Sequence, residues 1–343
     1  MTTTAVVVEA VRTPFARLDG VLAHLDAQAL AALAVREAVA RAGVAPGDVD
    51  DVLVAHAAGP GGNLARLAAL DAGLPASVPG LTLDRQCGGG LDAVTLACRL
   101  IAAGAGELYV AVGVDSASTS PLRAEASRDA GAHGRGFFPR RAFSAGGWDD
   151  PGMAEAADDL AAARAIPRAR QDAYAAASHA RASASASGGE FDAEIVPCPG
   201  RDGGATVTRD ECPRATLDAA RCARMPPVVR PGGTVTAANA SQIADGAVAV
   251  VVAAEGRARA LGRGGLAFRD SVTVGVPPPE CGLGAVAAAR ALATRDPRHE
   301  ARAAHQVAMT EAFAAQVLAT ADDLQLDPAR LNPRGGAIGL GHP

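Results

Sequence analysis

The chain has 343 residues, 49% hydrophobic and 20% charged, with a formal net charge of -5. That length suits two packed units or one large duplicated domain, the charge excludes a global attraction to nucleic acid, and no apolar run reaches the ~18 residues of a membrane span. All 32 basic residues are arginine, which excludes lysine Schiff bases, pyridoxal phosphate attachment and a lysine-bearing phosphate loop.

In chain order, Thr4-Ala5-Val6-Val7-Val8 predicts a short buried strand, followed by a turn at Arg12-Thr13-Pro14. Apolar residues at helical spacing predict a helix over Ala29 to Ala42, ended by Gly43. Val52 to Ala55 reads as a strand, 61 to 73 as mainly helical, and Leu81-Thr82-Leu83 as a strand running into Cys87. An apolar helix is expected over Leu91 to Ala103 and a strand over Leu108 to Val114, ending at Asp115. This alternation argues for an α/β sheet with helices on its faces.

From about 116 to 232 the rhythm breaks. Gly, Pro and Arg are frequent, and the helices expected at Met153 to Ala163 and Arg168 to Ala186 are amphipathic. The stretch reads as a long loop region over an α/β core, where substrate contacts are usually found. The α/β pattern then resumes, with a strand over Gly246 to Ala253, helices over Val286 to Thr294 and Ala308 to Ala319, and a glycine-rich strand end over Gly335 to Gly341. The two α/β stretches read as copies of one plan, each leading into a sharp glycine-rich turn with a reactive side chain. The expected division is 1–115, 116–232 and 233–343, with the last strand and helix of the first unit following the loop region.

Six cysteines are widely spaced with no C-x-x-C pair, and the N-terminus carries no basic-then-apolar leader. Reduced thiols in the cytoplasm are expected, rather than disulfides or a zinc site. Cys87 stands out, in Arg85-Gln86-Cys87-Gly88-Gly89-Gly90 between a strand and a helix. A thiol at a helix N-terminus is expected to have a lowered pKa and to act as a nucleophile, and the glycines permit close backbone approach. The other five cysteines read as ordinary core residues. His342, in Gly339-Leu340-Gly341-His342-Pro343, would make a Cys–His pair with Cys87, the minimum for thiol-based acyl transfer. Spacing alone does not establish that pairing.

Several blocks together resemble the thiolases. They are Val8-Glu9-Ala10-Val11-Arg12-Thr13-Pro14-Phe15, Arg85-Gln86-Cys87, Gly233 to Ser241 with Asp245-Gly246-Ala247, Glu311 to Gln316, and Asn332-Pro333 through His342-Pro343. The resemblance runs along essentially the whole chain. It implies a five-layered α-β-α-β-α fold of two duplicated halves plus a loop domain. It also implies coenzyme A as substrate or product, with no covalently bound cofactor and no metal. Acyl-CoA thioesters would be the partners of a dimer or tetramer that pairs through the first-half sheet. The segment from Arg123 to Trp148 is expected at oligomer contacts.

The resemblance implies that Cys87 is acylated and that His342 activates it. Ser241 would lie beside the pantetheine arm and Asn239 would support the adjoining turn. Arg214 and Arg224 would meet the nucleotide end of coenzyme A, Arg214 being the better match, against the plainer reading of solvated surface charges. Thr310 stands where the family has Asn or His at an oxyanion hole. Gly88-Gly89 replace a small hydroxyl pair, which keeps the backbone N–H donors. The family continues past Gly-His-Pro into a segment whose cysteine removes the α-proton of the second acyl group. No residue here takes that role, so the second half is expected to be incomplete. The expected activity is Claisen condensation of two acyl-CoA, acetyl-CoA to acetoacetyl-CoA in the simplest case, or thiolytic cleavage of 3-ketoacyl-CoA in fatty acid metabolism. The alternative is a thiolase-like scaffold or acyl-transfer protein that does not condense.

Overall fold

The computed structural model describes residues 3–59, 61–122 and 142–343. β1 (Ala5–Arg12) is the apolar opening run, and β2 (Ala16–Arg17) follows the Thr13-Pro14 turn. α1 (Ala27–Ala42) begins at Asp26, whose carboxylate accepts the amide of Ala29 and so caps the helix. β3 (Asp51–Ala55), α2 (Leu64–Asp71), β4 (Gly80–Leu83), α3 (Gly89–Ala102) and β5 (Leu108–Ser116) continue the expected alternation. α4 (Met153–Ala163), α5 (Arg168–Ser187) and the short α6 (Ala219–Ala223) lie in the loop region. β6 (Ala244–Ala254), α7 (Glu255–Ala260), β7 (Leu266–Ala267), α8 (Gly284–Arg295), α9 (Ala314–Leu324) and α10 (Ala337–Leu340) follow. Most of the segment expected at oligomer contacts, residues 123–141, lies outside the described residues.

The strands form one mixed sheet in the order β4-β3-β5-β6-β1-β7, with β2 pairing β6. β3 runs parallel to β4 and β5, whereas β6 is antiparallel to both β5 and β1. β6 therefore fills the centre of the sheet, which accounts for its nearly continuous apolar run. Side chains alternate between the faces. Val52, Val54, Val110 and Val112 pack with residues of α1 and α2 such as Leu30 and Leu64. Leu53, Ala55, Tyr109 and Ala111 pack with Ala93, Ala97 and Ile101 of α3. The parallel strands β3 and β5 place their carboxyl ends beside the N-terminus of α3, which positions the site.

Beyond residue 267 the described residues form helices and turns and contribute no second sheet. The strand end expected over Gly335 to Gly341 is instead the short helix α10. Its amides find side-chain acceptors, with Ile338 N donating to Glu311 Oε2 at 3.1 Å and Gly339 N to Ser178 Oγ at 3.2 Å. A Cβ on Gly339 would lie 2.8 Å from the Ser178 carbonyl oxygen, so this glycine serves close packing of α10 on α5. The helix expected over Ala308 to Ala319 starts only at Ala314. The residues before it are held extended, because Ser241 N donates to Ala312 O at 2.9 Å and Ala240 bridges Phe313. In both places a tertiary hydrogen bond overrides local preference.

Candidate active site

Cys87 sits in a single turn of 3-10 helix, Gln86–Gly88, that runs directly into α3. Gln86 has φ 48°, a left-handed conformation that costs a non-glycine residue energy and is over-represented at functional sites. Its amide and side chain are held by Asp84, the amide at 2.7 Å from Oδ1. A Cβ on Gly89 would lie 2.9 Å from that of Ala55, so this glycine lets the start of α3 press onto the end of β3. The glycine run thus serves packing against the sheet as well as access to the sulfur.

The expected lowering of the Cys87 pKa does not occur. The sulfur is reachable from solvent, yet the protein around it desolvates it and pushes the thiol up, with a further upward push from the Asp115 carboxylate. The stabilising backbone N–H only partly offsets these. The thiol lies in the turn before α3 rather than in its first helical turn, and burial outweighs the helix end. Cys87 therefore rests as a thiol and needs a base.

Cys87 opens onto a cavity of about 180 Å³ whose walls include Met153, Leu160, Cys281, Thr310 and Phe313. Thr310 lines the same cavity as Cys87. The sequence pattern places Cys281 among the ordinary core residues. It is instead exposed in the same cavity as Cys87. Sequence gave no signal for this, because its exposure depends on how the turn before α8 faces α4.

His342 is held by its backbone, its amide donating to Gln242 O at 2.9 Å in a parallel bridge with Ile243. Burial pushes its imidazole pKa down, and Asp115 pulls it partly back up. The side chain is consequently neutral at pH 7 and able to accept a proton. Cys87 and His342 both lie within the electrostatic reach of Asp115, although no hydrogen bond joins the two among the described residues. Asp115, near the end of β5, lies 3.1 Å from His56 Nδ1 and accepts the amide of Ala58 at 3.0 Å. His56 directly follows β3. Sequence reasoning missed both residues, though their position at the carboxyl ends of parallel strands is where ligands collect in α/β sheets.

Asn239 is buried in the adjoining turn. Its Oδ1 accepts the Thr236 amide at 2.8 Å and its Nδ2 donates to Asp172 Oδ1 at 3.0 Å. Ser241 abuts Ala312, a wall residue of the cavity. Arg214 is exposed and donates to Gln242 Oε1 at 2.8 Å, so it braces the residue that holds His342. Arg224 is exposed at the end of α6. Among the described residues no three His, Cys, Asp or Glu side chains group as metal ligands, and no helix is long and apolar enough to cross a membrane.

The thiolase N-terminal domain family matches residues 5–256 and the thiolase C-terminal domain family matches residues 266–343. The chain belongs to the thiolase family. Among its relatives, a protein of Staphylococcus haemolyticus named as an acetyl-CoA C-acetyltransferase, VraB, is 38% identical over 99% of this chain and 88% of its own length. The crystal structure of the Bacillus anthracis acetyl-CoA acetyltransferase superposes with a TM-score of 0.91 at 33% identity, covering 99% of this chain and 88% of that one. Human mitochondrial 3-ketoacyl-CoA thiolase in complex with CoA gives a TM-score of 0.90 at 30% identity, covering 99% and 87%. The chain has the thiolase fold and is an acyltransferase-type thiolase enzyme, and the scaffold alternative is not favoured.

Exposure sorts the thiols of this thiolase. At limiting iodoacetamide, Cys87 and Cys281 are expected to be labelled well ahead of the four buried cysteines. Burial also pushes Cys98 up to about 11 and Cys198 and Cys212 up to about 12. Peptide mass spectrometry reads the order. Early labelling of Cys98 or Cys212 would contradict the placement of these side chains.

Proposed function

We propose that this thiolase transfers acyl groups between coenzyme A thioesters through an acyl-Cys87 intermediate, in Claisen condensation (acetyl-CoA to acetoacetyl-CoA in the simplest case) or in thiolytic cleavage of a 3-ketoacyl-CoA. The observation that carries the reading is that Cys87 opens onto a cavity of about 180 Å³ and lies, like the His342 imidazole, within the charge influence of the Asp115 carboxylate, while burial keeps the thiol protonated and the imidazole neutral. His342 takes the Sγ proton of Cys87 as the sulfur attacks the thioester carbonyl carbon. The carbon–sulfur bond to coenzyme A breaks, and the departing thiolate receives the proton back from His342. The transient imidazolium is favoured by Asp115. The Thr310 hydroxyl donates to the developing oxyanion.

Ser241 lies beside the pantetheine arm, Asn239 supports the adjoining turn, and Arg214 and Arg224 meet the nucleotide end. The acylation half-reaction uses only these residues. Condensation requires in addition a proton acceptor at the α-carbon of the second acyl group. The enzyme works as a homo-oligomer in the cytoplasm. The open edge of β4, with Leu81 45% exposed, supports pairing through the first sheet.

Incubation with radiolabelled acetyl-CoA tests the reading. Label is expected on the peptide carrying Cys87, to be discharged by added coenzyme A, and to be absent from Cys87→Ala. Label retained in that variant would sink the assignment.

A further inference from the structure

The turn that carries His342 needs support from outside itself. α10 is a single turn of helix, and Gly341, between it and His342, has φ 97°, a left-handed conformation in which glycine supplies no stiffness of its own. A Cβ there would lie 2.8 Å from Cys212 Sγ, so the position is confined to glycine. Gln242 spans this glycine. Its backbone oxygen accepts the His342 amide at 2.9 Å, and its Nε2 donates to Ile338 O at 3.4 Å on the other side of Gly341. The same Nε2 donates to Cys212 O at 3.0 Å, and Oε1 accepts from Arg214 Nη2 at 2.8 Å. One side-chain amide thus joins residues 212–214, the entry to β6, and α10. It cannot be turned over, because that would set Nε2 against the guanidinium and Oε1 against two carbonyl oxygens. Gln242 is itself anchored. Ser241 N donates to Ala312 O at 2.9 Å, and Ala244 opens β6 at the centre of the sheet. Arg214 is anchored too, its amide donating to Nδ1 of the buried His179 at 3.2 Å. Burial, and then the Arg214 charge, lower that imidazole to about 4, so it stays a neutral acceptor.

We infer that Gln242 is a positioning residue of the acylation step, holding the His342 imidazole where it can take the Cys87 proton. The inference rests on the reading of His342 as the base and adds the residue that aims it. Proton transfer requires the base within hydrogen-bond reach of the sulfur, and a misplacement of about 1 Å can cost roughly 100-fold in rate. Gln242 acts through the backbone on both sides of Gly341 and takes no part in the chemistry itself.

The test measures acylation of Cys87 at saturating acetyl-CoA, by rapid mixing and intact mass, in the native enzyme, Gln242→Met, His342→Ala and the double variant. Methionine keeps the length of the side chain and removes its polar contacts. Gln242→Met should be slowed about 10- to 100-fold. Its rate should climb with pH above neutrality, as in His342→Ala, because unaided thiolate then carries more of the reaction. A structural role alone would scale the whole profile without changing its shape. The double variant should match His342→Ala within about twofold, because a base that is absent cannot be misplaced. Gln242→Glu keeps the acceptor for Arg214 and loses both donors. It should behave as Gln242→Met, and takes its place in the cycle if the methionine variant does not fold. A native rate in Gln242→Met, or losses that add in the double variant, overturns the inference and leaves His342 as the base. A native rate in His342→Ala overturns the base reading, and this inference with it.

Discussion

His342→Ala is expected to slow acylation of Cys87 by about 10²–10⁴-fold, the usual contribution of a positioned general base. The size follows from the state of the two groups. Burial and the Asp115 charge hold the Cys87 thiol above its ordinary range, so little thiolate exists at neutral pH. Burial lowers the imidazole of His342, so it enters the reaction as the free base. The sign with respect to pH follows. In the native enzyme acylation should be flat around neutrality and fall only when acid protonates His342, below the ordinary histidine value of about 6.5. In His342→Ala the rate should instead climb with pH through the thiol range, because the thiolate must then form unaided. Rapid-mix acylation with acyl-CoA across pH measures both profiles. A variant that keeps the flat profile would show that another group removes the proton.

Glu311→Ala is expected to cost about 3–5 kcal/mol of folding stability, at the large end for a single substitution. The Glu311 carboxylate is fully buried. Oε1 accepts from Tyr174 Oη at 2.7 Å and Asn332 Nδ2 at 2.8 Å, and Oε2 accepts from Ser178 Oγ at 2.7 Å and Ile338 N at 3.1 Å. Burial, and then the charge of Glu311, push the Tyr174 phenol strongly up, so it stays a donor. Alanine would leave four buried donors without their acceptor and a hole between α5 and α10. Ser178 Oγ also accepts the amide of Gly339, so the damage should reach the segment that carries His342. Denaturant unfolding should show a lower midpoint at unchanged slope, with Glu311→Gln intermediate because one oxygen remains an acceptor. A midpoint shift below about 1 kcal/mol for the alanine variant would mean that water replaces the carboxylate.

Much of this protein is written locally. The apolar run of β6, the helical spacing of α1 and α3, and the turn residues between them are legible because strand and helix periods are properties of neighbouring residues. Cys87 could be singled out from its strand–turn–helix setting, and Thr310 from its place in an ordered block. Local pattern failed at 308–313 and 335–341, where partners from other elements satisfy the backbone and so choose its conformation.

The chemistry of the site was decided elsewhere. Nothing near Cys87 in sequence announces that Asp115 and His56 stand at the ends of its neighbouring strands, or that Cys281 shares its cavity while four other cysteines are buried. The helix end alone predicts a lowered thiol pKa, and the folded protein raises it. Residues adjacent in sequence determine secondary structure through short-range sterics and hydrogen bonds. A pKa and a binding cavity are sums over desolvation and charge from residues far apart in the chain, and only the tertiary structure brings those together.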